Sequence, residues 1–344
     1  MRVLRLHGPK DLRMHEEPVP EPAAGEVRLK VTSVGVCASD LHYYRDGRIG
    51  TTLITEPLVI GHEAAGIIDA VGEGVTDCKV GEKVAIEPTN ACGECFFCKS
   101  GHFNVCPNVE FFGTPPQDGC FREYLTWPAK LAIKIPDSIS HDEAAIVEPM
   151  AVGVHAVNLA QLSGGENVAV LGAGAIGLSV LQAAKVSGAG RIIVSEPVKE
   201  RRELACKLGA DEVIDPSACD AQKEFCRLTN DLGPDVVFEC IGEDGASLEA
   251  SKIVRILGKI VVVGIPDEDI YTFAASTTRR KELSVVFCRR SNVAAETAIE
   301  WIAEGKVDAK SMATHRFPLE KTAEAMELAM AKKDGVIRAI IAVS

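Results

Sequence analysis

Val27, Leu29 and Val31 alternate with Arg28, Lys30 and Thr32. That period of two predicts a half-buried strand. Ala64–Val71 and Lys83–Ile86 read as further short strands, and Gly and Pro punctuate the region densely (EPVPEPAAGE, GTPPQDG). Loops between short strands have that composition. Near residue 165 the pattern changes. Runs that are apolar on both faces (VAVL, RIIV, DVVF, IVVV) predict strands at Val168–Leu171, Arg191–Ser195, Glu212–Asp215, Asp235–Cys240, Lys259–Ile265 and Leu283–Phe287. Amphipathic helical stretches such as Ala175–Ser187 and Val198–Leu208 lie between the first five. Strands with no polar face belong to a parallel sheet covered by helices on both sides. Six of them with crossovers describe a doubly wound α/β fold. After about residue 290 the pattern predicts helices over Ala294–Glu304 and Glu320–Met330 and a last strand, Val336–Val343.

Composition narrows the class. The 344 residues suggest two domains. Hydrophobic residues make up 47% and charged residues 25%, ordinary for a folded soluble protein. Lys and Arg total 37 against 49 Asp and Glu, a net charge of −12. That balance argues against a nucleic-acid or anionic-membrane partner, since phosphates are repelled on average. The most apolar stretch, Val168–Leu178, is interrupted by glycines and far shorter than the ~20 residues of a membrane span. The N-terminus lacks the apolar core of a signal peptide, so a cytoplasmic location is expected. A reducing compartment does not favour disulfides, which leaves 12 cysteines to explain.

Gly172, Gly174 and Gly177 form GAGAIG, with Ala175 and Ile176 between the last two, directly after the strand VAVL and at the start of a helix. The first glycine permits the tight turn, the second lets a pyrophosphate approach the backbone, and the third lets helix pack on strand. A tight strand–helix turn without a ligand is the alternative. Glu196 ends the next strand, where a carboxylate accepts from a ribose 2′-hydroxyl and repels a 2′-phosphate. NAD is therefore expected over NADP, with Arg201 and Arg202 close downstream as opposing charges.

Cys92, Cys95, Cys98 and Cys106 give C-x2-C-x2-C-x7-C. Four thiolates suit a tetrahedral, closed Zn²⁺ site. An iron–sulfur cluster or free thiols are the alternatives, and nothing else suggests an electron carrier. A second set is dispersed: Cys37 in GVCASDLHYY, His62–Glu63 in IGHEAAG, and Glu148 in IVEPMAVG. A thiolate, an imidazole and two carboxylates can hold Zn²⁺ with an open position, as a catalytic site requires. Spacing alone does not say that they meet.

The segments VGVCASDLHYYRDGRIG, PLVIGHEAAG, VGEKVAIEP, the cysteine lobe, IVEPMAVGVHA, GAGAIGL and THRFPLEKTAEA together resemble the zinc-dependent medium-chain dehydrogenase family, and most closely its polyol (sorbitol, or L-iditol 2-) dehydrogenase branch. The resemblance implies a GroES-like catalytic domain over 1–154 and 290–344, with the zinc lobe at 90–107, and a Rossmann NAD-binding domain over 155–289. It implies that Cys37, His62 and Glu63 bind the catalytic zinc, that Glu148 binds through water or exchanges with Glu63, and that Ser39 lies beside the substrate oxygen. His42 and Tyr43 would line cofactor and substrate, and Phe112 and Arg289 would contact the substrate. The alcohol-oxidising branch carries a second cysteine near the Glu148 segment; here there is none, which points to the polyol side. The expected activity is NAD-dependent oxidation of a secondary hydroxyl of a polyol to a ketone. A threonine or vicinal-diol (butanediol) dehydrogenase and a non-catalytic cofactor-binding relative are the rivals. A homotetramer or homodimer is expected from the resemblance.

Overall fold

The computed structural model describes residues 1–344. The chain forms two compact units, Met1–Glu148 with Ile299–Gly305 and Ala309–Ser344, and Pro149–Ala298 with Lys306–Asp308. No helix is long and apolar enough to cross a membrane.

The first unit opens with a hairpin, β1 (Arg2–Leu6) and β2 (Leu12–Glu16). It continues through β3 (Glu26–Gly35), α1 (Ala38–Asp46), β4 (Glu63–Val71), β5 (Lys83–Ile86), β6 (Tyr124–Pro128) and β7 (Ala132–Lys134). β3 is the spine. Its even-handed start matches the alternation in the sequence, with Val27, Leu29 and Val31 fully buried and Lys30 exposed between them. From Val31 onward both faces are covered. One edge of β3 pairs antiparallel with β4 throughout, placing Gly35 opposite Glu63. The other edge is shared between β6, at residues 26–30, and a strand from the end of the chain. The helix α2 (Val147–Ala160) spans the boundary between units at Glu148 and Pro149.

The second unit holds β8 (Asn167–Leu171), α3 (Ala175–Val186), β9 (Arg191–Ser195), α4 (Lys199–Leu208), β10 (Glu212–Ile214), β11 (Val236–Glu239), β12 (Lys259–Val262) and β13 (Ser284–Phe287). All six strands are parallel, in the order β10-β9-β8-β11-β12-β13. The sequence order reverses between β8 and β11, the switch point of a doubly wound sheet, where ligands lie beyond the carboxyl ends of the strands. The four inner strands, β8, β9, β11 and β12, are buried on both faces because helices cover both, and Ala169, Ile193, Val237 and Ile260 lie in one core with Phe225.

The chain then forms α5 (Ala295–Ala303), β14 (Ala313–Pro318), α6 (Thr322–Ala331) and β15 (Arg338–Ala342). β14 and β15 run parallel to each other, and β15 closes the first unit's sheet by pairing with residues 33–35 of β3. The first unit's core accordingly joins Val31 and Val34 to Ala339 and Ile341.

Candidate functional site

β3 ends at Gly35, and Cys37 caps α1 two residues later in extended conformation. Asp40, three residues into the turn, accepts from the Cys37 N–H at 2.9 Å with one oxygen and from the Gly61 N–H at 2.9 Å with the other. A single carboxylate thereby joins the two loops that carry Cys37 and His62. It also lies 3.7 Å from His62 Nδ1 and is fully buried. Gly61 has φ +92, a conformation that side chains resist, and a Cβ there would meet the Phe121 ring at 3.1 Å. Glu63 begins β4 opposite Gly35, where a Cβ would fall 2.2 Å from Glu63 Oε2. The missing side chain at 35 is the space that the carboxylate fills.

The ligand atoms of Cys37, His62 and Glu63 lie within 4.8 Å of one another. Arg338, carried to this point by β15, donates to the Val36 carbonyl at 2.6 Å, and its Nη2 sits 3.0 Å from Glu63 Oε1 without hydrogen-bond alignment. Burial pushes the carboxyls of Glu63 and Asp40 up, with Arg338 and His62 respectively the largest opposing charges. Burial and then Glu63 push the Cys37 thiol up. Glu148, in the first turn of α2, is raised to about 7, chiefly by burial. Three carboxyls and a thiol thus face one buried arginine. His62 Nδ1, both Glu63 oxygens and Ser39 Oγ are buried without hydrogen-bond partners. Unpartnered acceptors and a surplus of buried acid are what a divalent cation offsets. The donor set S, N, O fits zinc with a position left open.

The second cluster fits zinc by distance. Sulfur–sulfur separations are 3.5 Å for Cys92–Cys106, 3.8 Å for Cys95–Cys106 and 3.9 Å for Cys92–Cys98. Tetrahedral bonds of about 2.3 Å place sulfurs about 3.8 Å apart. The N–H groups of Glu94 and Cys95 pull Cys92 down to about 6, while desolvation pushes Cys98 up to about 12. Four thiols this close need a cation to ionise together. With all four corners filled, this cluster is closed to substrate.

At the carboxyl end of β8, Gly172 takes φ +90 and a Cβ there would meet Ile241 at 3.1 Å. A Cβ at Gly177 would lie 1.8 Å from the Gly172 carbonyl oxygen, while Gly174 faces open space. The first and third glycines are steric necessities, and the second leaves backbone approachable. Glu196 is buried, accepting from Ala173 N–H at 2.7 Å and Val198 N–H at 2.9 Å. It therefore shapes the glycine loop as well as bearing charge there. Arg202 is committed elsewhere, donating to the carbonyls of Glu196 and Pro197 and pairing with Asp215 at 2.8 Å. Arg201 is partly buried in the same helix, α4. Ala175 and Ile176 open α3 as expected.

Ser39 and His42 lie three residues apart on α1, on one face. Three of the expected contact residues lie as follows. Phe112 is 1% exposed and packs edge-on against Trp127, so it belongs to the core. Its neighbour Phe111 is the ring beside the metal cluster, 5.3 Å from His62. Tyr43 is likewise a core residue at 1% exposure, because its face of α1 turns inward. Arg289 is exposed in the second unit, just beyond β13. Asp40, Phe111 and Arg338 are the residues that the sequence reading missed. Arg338 carried a signal, a lone cation in the apolar run VIRAIIA, since a buried arginine requires a partner.

The chain matches the family model "Alcohol dehydrogenase GroES-like domain" over residues 23–137 and "Zinc-binding dehydrogenase" over residues 175–304. It is 39% identical to the sorbitol dehydrogenase of Bacillus subtilis (strain 168), covering 99% of this chain and 97% of that protein. An oxidoreductase/dehydrogenase of unknown specificity from Escherichia coli superimposes with a TM-score of 0.94 at 34% identity, covering 100% and 99% of the two chains. An alcohol dehydrogenase from Escherichia coli CFT073, solved with NADH, does so with a TM-score of 0.91 at 32% identity over 100% and 99%.

Proposed function

The chain belongs to the zinc-dependent medium-chain dehydrogenase family and is an alcohol or polyol dehydrogenase, and on that premise we propose that it oxidises an inner secondary hydroxyl of a four- to six-carbon polyol to a ketone, with NAD as acceptor. The observation that carries the reading is the convergence of Cys37, His62 and Glu63, with Glu148 rather than a second cysteine as the further acid. Similarity to a sorbitol dehydrogenase supports the polyol, the NADH-bound neighbour supports a nicotinamide dinucleotide, and Glu196 beside the glycine loop favours NAD.

When bound, zinc supplies Lewis acidity that eases loss of an alcohol proton near neutral pH, and NAD supplies the hydride acceptor. The chain's own residues hold and orient. Cys37, His62 and Glu63 would hold the metal, with Glu148 as the nearby acid. Asp40 fixes both ligand loops, and Arg338 keeps Glu63 from swinging freely. Ser39 Oγ, buried and unpartnered, would accept the substrate proton and pass it toward His42, one turn along α1. The glycine loop would take the pyrophosphate, and Glu196 the adenosine ribose.

We also infer a homo-oligomer. β13 is an edge of the parallel sheet, and the exposed side chains of Ile265, Ile270, Tyr271, Phe287 and Val293 gather in this unit. An open apolar edge suits a second copy.

The test is a panel of hexitols, pentitols, 2,3-butanediol and threonine with NAD and with NADP, read at the reduced-cofactor absorbance. A polyol with NAD should give the highest kcat/KM. Threonine or butanediol ahead of every polyol would overturn the substrate, and equal use of NADP would overturn the role given to Glu196.

A further inference from the structure

A cavity of about 520 Å³ opens on the first unit between the 55–58 segment and the 115–118 loop. Arg5, Thr55, Gln117, Asp118, Arg122 and Thr126 help line it, and none belongs to the metal clusters. Its two arginines are treated differently by their surroundings. Arg5 is saturated: it grips Glu17 through Nε at 2.6 Å and Nη2 at 3.0 Å, Asp118 through Nη1 at 3.0 Å and Nη2 at 2.9 Å, and the Pro57 carbonyl at 3.2 Å. Asp118 in turn takes the Val59 N–H at 3.0 Å. Arg122 makes only a backbone bond, from its N–H to the Cys120 carbonyl. Its side chain is half-buried, and Nε is buried with no partner. Burial pulls its pKa below the ordinary arginine value and the Arg5 charge adds to that, while Cys120, Asp118 and Glu17, in that order, oppose it.

A guanidinium carries five donors in a rigid fork that matches a carboxylate two bonds at a time. Arg338 also leaves its Nε unpartnered, but it donates to the Val36 carbonyl and lies in ion-pair range of Glu63, whereas the Arg122 side chain makes no hydrogen bond. We propose that Arg122 anchors a binding site for a small hydroxylated carboxylate, with Gln117, Thr55 and Thr126 facing the ligand's hydroxyls. The lining is not positive on balance, since Glu56 also borders the cavity. The unused donors of Arg122, rather than net charge, select the ligand, and a single carboxylate suits them better than a doubly charged phosphate.

The probe is gluconate, titrated calorimetrically into the zinc-loaded enzyme without nucleotide, with neutral glucitol and inorganic phosphate as comparisons. Gluconate should bind more tightly than either. Arg122→Gln should weaken it by about tenfold or more, and Arg122→Lys, which keeps charge but not the fork, by less. Gln117→Ala, at a partly buried loop position whose backbone bonds do not need the side chain, should weaken it with a nearly unchanged melting curve, which covers the case of poor folding in Arg122→Gln. Cys37→Ala should bind gluconate as the wild type does. Equal affinity in Arg122→Gln, equal or tighter binding of glucitol or phosphate, no binding to the wild type, or loss in Cys37→Ala (which would put the anion on the catalytic metal) each overturns the site.

Discussion

Two positions show how much a single residue decides. Gly35 matters for the atom it lacks: the space of its Cβ belongs to Glu63 Oε2. Gly35→Ala should push that carboxylate out of the cluster and cost about 1–3 kcal/mol through overpacking. Zinc content should fall from two ions per chain toward one, with turnover falling in step. Retention of both ions with normal turnover would show that Glu63 is not needed for the metal. Glu17 matters for its charge. Arg5 holds its carboxyl below the usual range. A depressed folded pKa stabilises above the unfolded value of about 4.3, and the gain is lost as pH falls through the folded value. Glu17→Gln should therefore cost about 1 kcal/mol near neutral pH, since the pair is partly exposed. Urea midpoints of the two proteins should converge as the pH drops below about 4.

Among the elements, the cysteine lobe and the β3–α1 corner predict opposite phenotypes. The lobe contains little regular structure, a one-turn helix over Phe96–Lys99 and a 3-10 turn over Phe103–Val105. Its fold therefore depends on binding energy from the metal. Cys95→Ser should lower the melting temperature, with activity falling mainly through loss of folded protein. Cys37 sits instead at the start of α1, just after a ten-residue strand, and the bond from its backbone N–H to Asp40 does not need the thiol. Cys37→Ala should melt near the wild type, still bind NADH by fluorescence, and lose turnover by orders of magnitude. Near-normal turnover in that variant would remove Cys37 from the catalytic set. The parallel strands were legible within a residue or so at most ends, because apolar runs with no polar face have few other uses. The two ligand loops were not legible as neighbours, because an antiparallel register, Gly35 opposite Glu63, leaves no trace in linear spacing. Phe111 and Phe112 were inseparable for a similar reason: consecutive residues point to opposite sides, and only the fold says which side is the core.

For the molecule as a whole, the open edge at β13 carries the remaining prediction. Phe287, 53% exposed, contacts Tyr271 with ring centroids 5.0 Å apart. Phe287→Lys should shift sedimentation toward the monomer while leaving both zinc ions bound. An unchanged oligomer would place the subunit contact elsewhere. Composition pointed to two units, but only the family resemblance said that the first is built from both ends of the chain, since nothing in an apolar run near residue 340 names β3 as its partner.

That interleaving sets a timetable for synthesis. The four cysteines of the lobe all emerge within fifteen consecutive residues, so the nascent chain can capture its first metal early. The other cluster has its ligands by Glu63, yet Arg338 bonds Val36 across 302 residues of chain. At roughly 5–20 residues per second, more than about ten seconds of translation separate the last lobe cysteine from Arg338. Until β15 arrives, Glu63 lacks its arginine and β3 lacks part of its edge. The catalytic centre is therefore finished only once β15 has emerged, and a chain lacking β15 would still hold structural zinc but lack its buried counter-charge.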